Sequence, residues 1–141
     1  MAGYDRSLYQ MYLGAVPMFS RCASDQLDRI ANLGDSIAIS PGHDIVREGE
    51  EGNEFYVITS GKARVARGGR AVTTLGAGDF FGELALFDRA PRNATVTAES
   101  EVSLVTLTSD ALHQALDEMP GIRDAIIQGM ARRLHELDAR A

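Results

Sequence analysis

The sequence predicts a mainly β fold with flanking helices: an antiparallel, jelly-roll-like β-roll. Three observations predict it. Between about Asp35 and Leu107 apolar residues alternate with polar ones, as half-buried strands require. Turn signals rich in glycine and proline cut that stretch into many short pieces. On either side of it the apolar spacing changes to three and four residues, the period of a helix.

The first segment, 1–34, reads as helical. Leu8, Met11, Tyr12 and Ala15 recur at helical spacing, and Val16-Pro17-Met18-Phe19 reads as a buried connector. A second short helix follows, with Ser24 as N-cap, Asp25 and Asp28 in the first turn, Leu27, Ile30 and Leu33 as the buried stripe, and Gly34 closing it. In the middle segment, 35–107, the alternating positions are Ile37 and Ile39, Ala63 and Val65, and Ala94, Val96 and Ala98, while Phe55-Tyr56-Val57-Ile58 is apolar on both faces. Turns fall at Pro41-Gly42, Gly49 to Asn53, Ser60-Gly61, Gly68-Gly69 and Gly76 to Asp79. Gly68-Gly69 between Val65 and Val72 predicts a hairpin, since a two-residue turn needs positive φ at both positions. The last segment, 108–141, is helical again. Ser109 caps a helix carrying Leu112, Ala115, Leu116 and Met119. Pro120 opens a longer helix, where its missing N–H is no loss, with Ile122, Ile126 or Ile127, Met130, Leu134 and Leu137 along it.

With 141 residues, one domain with one core is expected. The formal net charge of −6 argues against non-specific nucleic-acid binding, which rests on phosphate neutralisation, but leaves room for a local anion site. No apolar run approaches the roughly 18 residues of a membrane span. Residues 1–20 lack the basic start and unbroken apolar core of a signal peptide, so a cytoplasmic protein is expected. The single cysteine, Cys22, has no partner for an internal disulfide, and its neighbours match no nucleophile motif, so simple packing is expected of it.

The stretch that carries chemistry runs from Phe80 to Val96. A strand ends at Gly82, a turn or two of helix begins at Glu83, and Arg92 follows after a short loop. Gly82 lets the backbone approach a ligand with no Cβ in the way. The first amides of the turn Glu83 to Leu86 lack intrahelical partners and carry partial positive charge, an anion site in the making. Arg92 adds a permanently charged, planar fork suited to two phosphate oxygens. Glu83 is out of place beside an anion unless it accepts a hydrogen bond from a sugar hydroxyl. The physical reading is therefore an anion, with a sugar phosphate as the fitting example.

Phe81-Gly82-Glu83-Leu84-Ala85-Leu86 followed by Pro91-Arg92-Asn93-Ala94 resembles the phosphate-binding cassette of the cyclic-nucleotide-binding domain family, which includes the regulatory subunits of protein kinase A, catabolite activator protein and cyclic-nucleotide-gated channels. Pro41-Gly42-His43-Asp44-Ile45 with Gly49, and Phe55-Tyr56-Val57-Ile58 with Ser60-Gly61, look like that family's early strands, and Gly78-Asp79-Phe80 like its lead-in to the cassette. The resemblance spans nearly the whole chain. It implies eight strands in the roll, N-terminal helices, two C-terminal helices that act as a lid, and one cyclic-nucleotide-binding domain with its cassette at 80–96.

Carried over residue by residue, the resemblance implies that Glu83 binds the ribose 2′-hydroxyl, that Arg92 pairs with the cyclic phosphate, and that the amides of Leu84 and Ala85 donate to it beside Gly82. Val65, Val72 and Leu75 match the apolar wall beside the base. Met130-Ala131-Arg132-Arg133-Leu134 looks like the family's last helix, with Arg133 directed at the site near Glu83. A solvated charge is the plain alternative for Arg133, and core or dimer packing for Leu134. Asn93 stands where a threonine favours guanine in the family, which leaves the base open. The expected ligand is cAMP, with cGMP open, and the expected role is that of a sensor or regulatory module, not an enzyme. Phosphate binding would tighten the cassette, move Leu86 and Phe87, and close the last helix on the pocket.

Other classes fare worse. A β-roll metalloenzyme needs clustered histidines, but His43 is alone among the strands, with His113 and His135 on the terminal helices, so no metal is expected. A DNA-binding regulator needs a helix-turn-helix after the long helix; none is expected in a chain ending at Ala141, nor a DNA or membrane partner. A non-binding dimerisation module is the remaining alternative. Ile127, Met130, Leu134 and Leu137 form a short coiled-coil-like seam, from which a weak homodimer is expected; the downstream effector is not written in the sequence.

Overall fold

The computed structural model describes residues 6–140, and the side chains of 6–136. Two compact units form: a β unit over Gly34–Ser109, and a helical unit from residues 6–33 together with 110–140.

In the β unit the strands are β1 (Asp35–Ile39), β2 (Asp44–Val46), β3 (Glu51–Gly52), β4 (Glu54–Ser60), β5 (Ala63–Arg67), β6 (Arg70–Leu75), β7 (Phe80–Phe81), β8 (Ala90–Pro91), β9 (Thr95–Ala98) and β10 (Val102–Thr108). All pairings are antiparallel. One four-stranded sheet has the order β1-β10-β4-β7, a second the order β2-β9-β5-β6, and β3 and β8 pair by themselves. The expected count of eight is thus corrected to ten among the described residues. The two sheets supply eight, and the additional pair is a ribbon of two residues per strand, too short to leave an alternating pattern in the sequence.

Interior-facing residues of both sheets meet in one core: Tyr56, Ile58, Ala63, Val96, Ala98, Val102 and Leu104, with Val46, Val65, Leu75 and Phe81 packed against it and less deeply buried. Phe55 to Ile58 are buried on both faces, as their unbroken apolar run implied. Gly68 and Gly69 have φ of 60° and 80° and close the β5–β6 hairpin with Arg67 opposite Arg70. A bulge interrupts this pairing: Val65 faces Thr73 and Ala66 faces Ala71, so Val72 has no opposite residue and is 51% exposed.

In the helical unit the helices are α1 (Arg6–Ala15), α2 (Ser24–Asn32), α3 (Ser109–Glu118, from its second residue) and α4 (Pro120–Arg140), with a 3-10 turn at Pro17–Phe19. The buried face of α1 is Tyr9 and Leu13, not Leu8, Met11, Tyr12 and Ala15; Met11 is exposed. The spacing set the period but not the phase. Val16, Met18 and Phe19 are buried, as expected of a connector. The N-cap of α2 is Ala23, one residue before the expected Ser24, and its N–H donates to the Gln26 side chain at 2.7 Å. Leu33, not Gly34, is the C-cap, and in the stripe Ile30 and Ala31 are buried while Leu27 and Leu33 are only partly so. Arg29 of α2 forms an ion pair with Glu118 of α3. Along α4, Ile122, Ala125 and Ile126 are buried, whereas Ile127, Met130 and Leu134 are exposed; the side chain of Leu137 lies outside the described residues.

Candidate functional site

A cavity of about 470 Å³ opens in the β unit, walled by residues of β2, β5, β6, β7 and β9 and by the segment 82–94. That is within the range of small-molecule pockets, roughly 300–1,000 Å³. Its floor turns at Gly82, which has φ of 84° and so stands in the left-handed region that suits glycine. The four residues after it, Glu83–Leu86, form the short helical turn expected there, of 3-10 type. The Ala85 N–H already donates to the Gly82 carbonyl at 3.1 Å, as i to i+3 pairing demands, so it is engaged inside the turn. Leu86 is fully buried, and its carbonyl accepts from the Ser109 hydroxyl at 2.8 Å.

Arg92 reaches the cavity from the far end of the loop. Its backbone is held on both sides: its N–H donates to Glu50 at 2.9 Å, and its carbonyl accepts from Gly49 at 2.8 Å. Its guanidinium is only partly exposed, donates through Nη2 to the Glu54 carbonyl at 3.0 Å, and lies 5.9 Å from the Tyr56 ring centroid. Tyr56 in turn stacks on Phe81 at 4.9 Å. The slot for the arginine depends on Gly52: a Cβ there would lie 2.7 Å from Cζ of Arg92. Thus a cation is set, aromatic-backed, in a groove of backbone.

The acid of the site is Glu83, half-buried on the cavity wall. Burial pushes its carboxyl above the ordinary glutamate value, partly offset by a bond from its own amide. Tyr56 is pushed up to about 12, by burial first and by neighbouring Glu54 next, so its hydroxyl stays a donor, to Glu54 Oε1 at 3.3 Å. One strong cation, a glycine turn and a half-buried carboxylate in one pocket suit an anionic group joined to a hydroxylated one.

Of the residues singled out by sequence, Gly82, Glu83, Leu84, Ala85, Arg92, Asn93, Val65 and Leu75 all line this cavity. Val72 does not; it has no opposite residue at the bulge in β5–β6 and is exposed. Arg133 and Leu134 do not line it either. Arg133 lies in the helical unit, 4.0 Å from Glu136 one turn along α4, and borders a separate cavity with Arg21 and Arg132; Leu134 is 61% exposed. Sequence reasoning missed Gly52, Glu54 and Tyr56 around the arginine, and Arg67 on the cavity wall. For Arg67 a signal existed: it stands two residues from Val65 on the same strand, hence on the same face.

Elsewhere, Cys22 is half-buried and its thiol is pushed up to about 11 by that burial, which keeps it protonated. Among the described residues no group of three His, Cys, Asp or Glu side chains is arranged to hold a metal, and no helix is long and apolar enough to cross a membrane.

Residues 37–119, which contain the whole cavity wall, match the family model of the cyclic nucleotide-binding domain. The chain belongs to the cyclic nucleotide-binding domain family. It is 39% identical over 113 residues to a cAMP-dependent protein kinase regulatory subunit of Yarrowia lipolytica, covering 79% of this chain and 30% of that protein. Among solved structures, it is similar to the N-terminal domain of a transcriptional regulator from Streptomyces coelicolor A3(2), with TM-score 0.85 and 29% identity over 91% of this chain and 95% of that one. It is also similar to cAMP-bound PfPKA-R, with TM-score 0.68 and 28% identity over 94% of this chain and 47% of that one. The cyclic nucleotide-binding domain accounts for the β-roll. The chain spans about a third of the length of the regulatory subunit it matches.

Proposed function

We propose that this cyclic nucleotide-binding domain binds a cyclic purine nucleotide reversibly, cAMP ahead of cGMP, as a cytoplasmic sensor or regulatory module that catalyses no reaction itself. The observation that carries the proposal is the convergence of Arg92, the Gly82 turn and Glu83 on one cavity. Arg92 takes the cyclic phosphate and Glu83 the ribose 2′-hydroxyl, with the base against Val65 and Leu75. The cAMP-bound relative supports cAMP as ligand. Arg133 and Leu134 enter the site only if α4 closes as a lid. No metal, DNA or membrane is part of the proposal, and the receiver of the signal is whatever α4 touches.

Calorimetric titration with cAMP and cGMP in parallel tests the reading. A ligand that binds only the folded state adds RT ln(1 + [L]/Kd), about 2.7 kcal/mol at a hundredfold excess over Kd, so the melting temperature should rise by several degrees. Absence of heat and of any melting shift with both nucleotides would refute it.

A further inference from the structure

We propose that the helical unit carries a further ligand site, a guanidinium-lined cavity that takes a dianionic phosphate group. The cavity, of about 410 Å³, is walled by Ala15, Pro17, Ser20 and Arg21 on one side and by residues of α4 on the other, and it shares no residue with the cavity of the β unit. Its charged wall is Arg21, Arg132, Arg133 and Glu136. Two of the guanidiniums share the one carboxylate at long range: Arg132 Nε stands 3.5 Å from Glu136 Oε1, and Arg133 Nη1 stands 4.0 Å from Glu136 Oε2. Arg21 has no bonded partner among the described residues. Three cations against one carboxylate leave two positive charges unmatched, in a chain whose formal net charge is −6.

Main chain fixes the two walls. A Cβ on Gly129 would lie 2.6 Å from the Pro17 carbonyl oxygen and 2.9 Å from that of Met18, so α4 meets the 3-10 turn with no side chain between them. The Ser20 hydroxyl donates to the Pro17 carbonyl at 2.8 Å, which steadies the turn that presents Arg21. Ser20 has thus spent its hydroxyl proton, and the arginines supply the donors. Each planar fork can bond two oxygens of a phosphate, and the double charge of a phosphate group answers the excess on the wall. The volume is that of a small-molecule pocket, so it suits a phosphate group on a compact molecule and not a polyanionic chain. The side chains of Arg132 and Arg133 are 58% and 43% exposed, so water and salt screen the attraction and binding in the millimolar range is expected.

The test is a titration with inorganic phosphate, and with chloride at matched ionic strength, followed by the NMR amide signals of Ser20 and Gly129 on the cavity wall. In the parent both signals should move and saturate with phosphate and stay still with chloride. Arg21→Ala should raise the phosphate dissociation constant about fivefold to tenfold while leaving cAMP affinity at the parent's value. Arg132→Ala should weaken phosphate in the same way, and it decides the matter should Arg21→Ala not melt cooperatively. Signals that do not move, that respond equally to chloride, or that titrate in both variants with the parent's dissociation constant overturn the proposal. A joint loss of phosphate and cAMP affinity in Arg21→Ala would assign the anion to the Arg92 cavity and overturn it too. A parent that binds phosphate here but no cAMP would refute the cyclic-nucleotide reading and leave this site standing.

Discussion

A Cβ on Gly82 would stand 2.6 Å from Nη1 of Arg92, so the turn and the arginine share one space only because position 82 carries no side chain. The same Cβ would meet the Glu54 carbonyl oxygen at 2.7 Å, and main chain cannot swing aside as a side-chain tip can. Gly82→Ala, at φ of 84°, should therefore destabilise the fold by about 1–3 kcal/mol and displace the guanidinium. Urea denaturation checks the first effect and cAMP titration the second. A variant as stable and as tight as the parent would show that the turn relaxes at no cost.

Arg92→Ala should weaken cAMP binding by about 2–5 kcal/mol, near the middle of which lies a loss of a few hundredfold. Arg92→Lys should recover only part, because an ammonium cannot reach the phosphate and the Glu54 carbonyl with one planar fork. Arg89→Ala, in the exposed loop, is the control and should change little. Equal affinity of Arg92→Ala and Arg89→Ala would place the phosphate elsewhere.

Glu83 makes stability depend on pH. Burial raises its folded-state pKa above the unfolded value, so the folded chain holds that proton more firmly. The resulting stability is full below the unfolded pKa and is lost as pH rises through the folded pKa. Glu83→Gln cannot ionise. Without ligand it should be more stable than the parent at neutral pH, with the difference vanishing in acid. It should also bind cAMP more weakly and discriminate less against 2′-deoxy-cAMP. Denaturation across a pH series measures the first effect; a pH-independent difference would mean that ionisation of Glu83 is not its cause.

Ile127 and Leu134 stand 59% and 61% exposed on α4, with Met130 between them at 36%. Their three- and four-residue spacing is that of a short helical seam. A weak homodimer at high-micromolar protein is expected, abolished by Leu134→Glu. Sedimentation across a concentration series decides, and a strict monomer with and without cAMP would remove the dimer.

That Gly82, Glu83 and Arg92 meet on one cavity was legible because they are nearly consecutive: glycine, acid and apolar turn lie within a few residues, and Arg92 follows after one short loop. The Gly68-Gly69 hairpin was legible for the same reason, since both positive φ values fall on adjacent residues. What stayed hidden depends on distant pairing. Glu54 meets Arg92 across 38 positions, and Arg67 meets Asn93 across 26; no local pattern announces either. For α1 the spacing gave the helix but not its buried face, because two overlapping stripes, Leu8-Met11-Tyr12 and Tyr9-Leu13, share one period. Val72 was assigned to the wall by the resemblance alone, and no local pattern marks the bulge that leaves it without an opposite residue.

The ribbon of β3 and β8 anchors Arg92 through main-chain bonds to Gly49 and Glu50, on the side away from Asp88 and Arg89. The guanidinium thus takes its place from a lattice that ignores the chemical identity of the preceding loop. Arg89, exposed and off the cavity wall, is accordingly free to drift during evolution, and a few residues can be added there without disturbing the anchor. For an engineer the same position offers a graft point, where a fluorophore would sit near the pocket while leaving its cation in register.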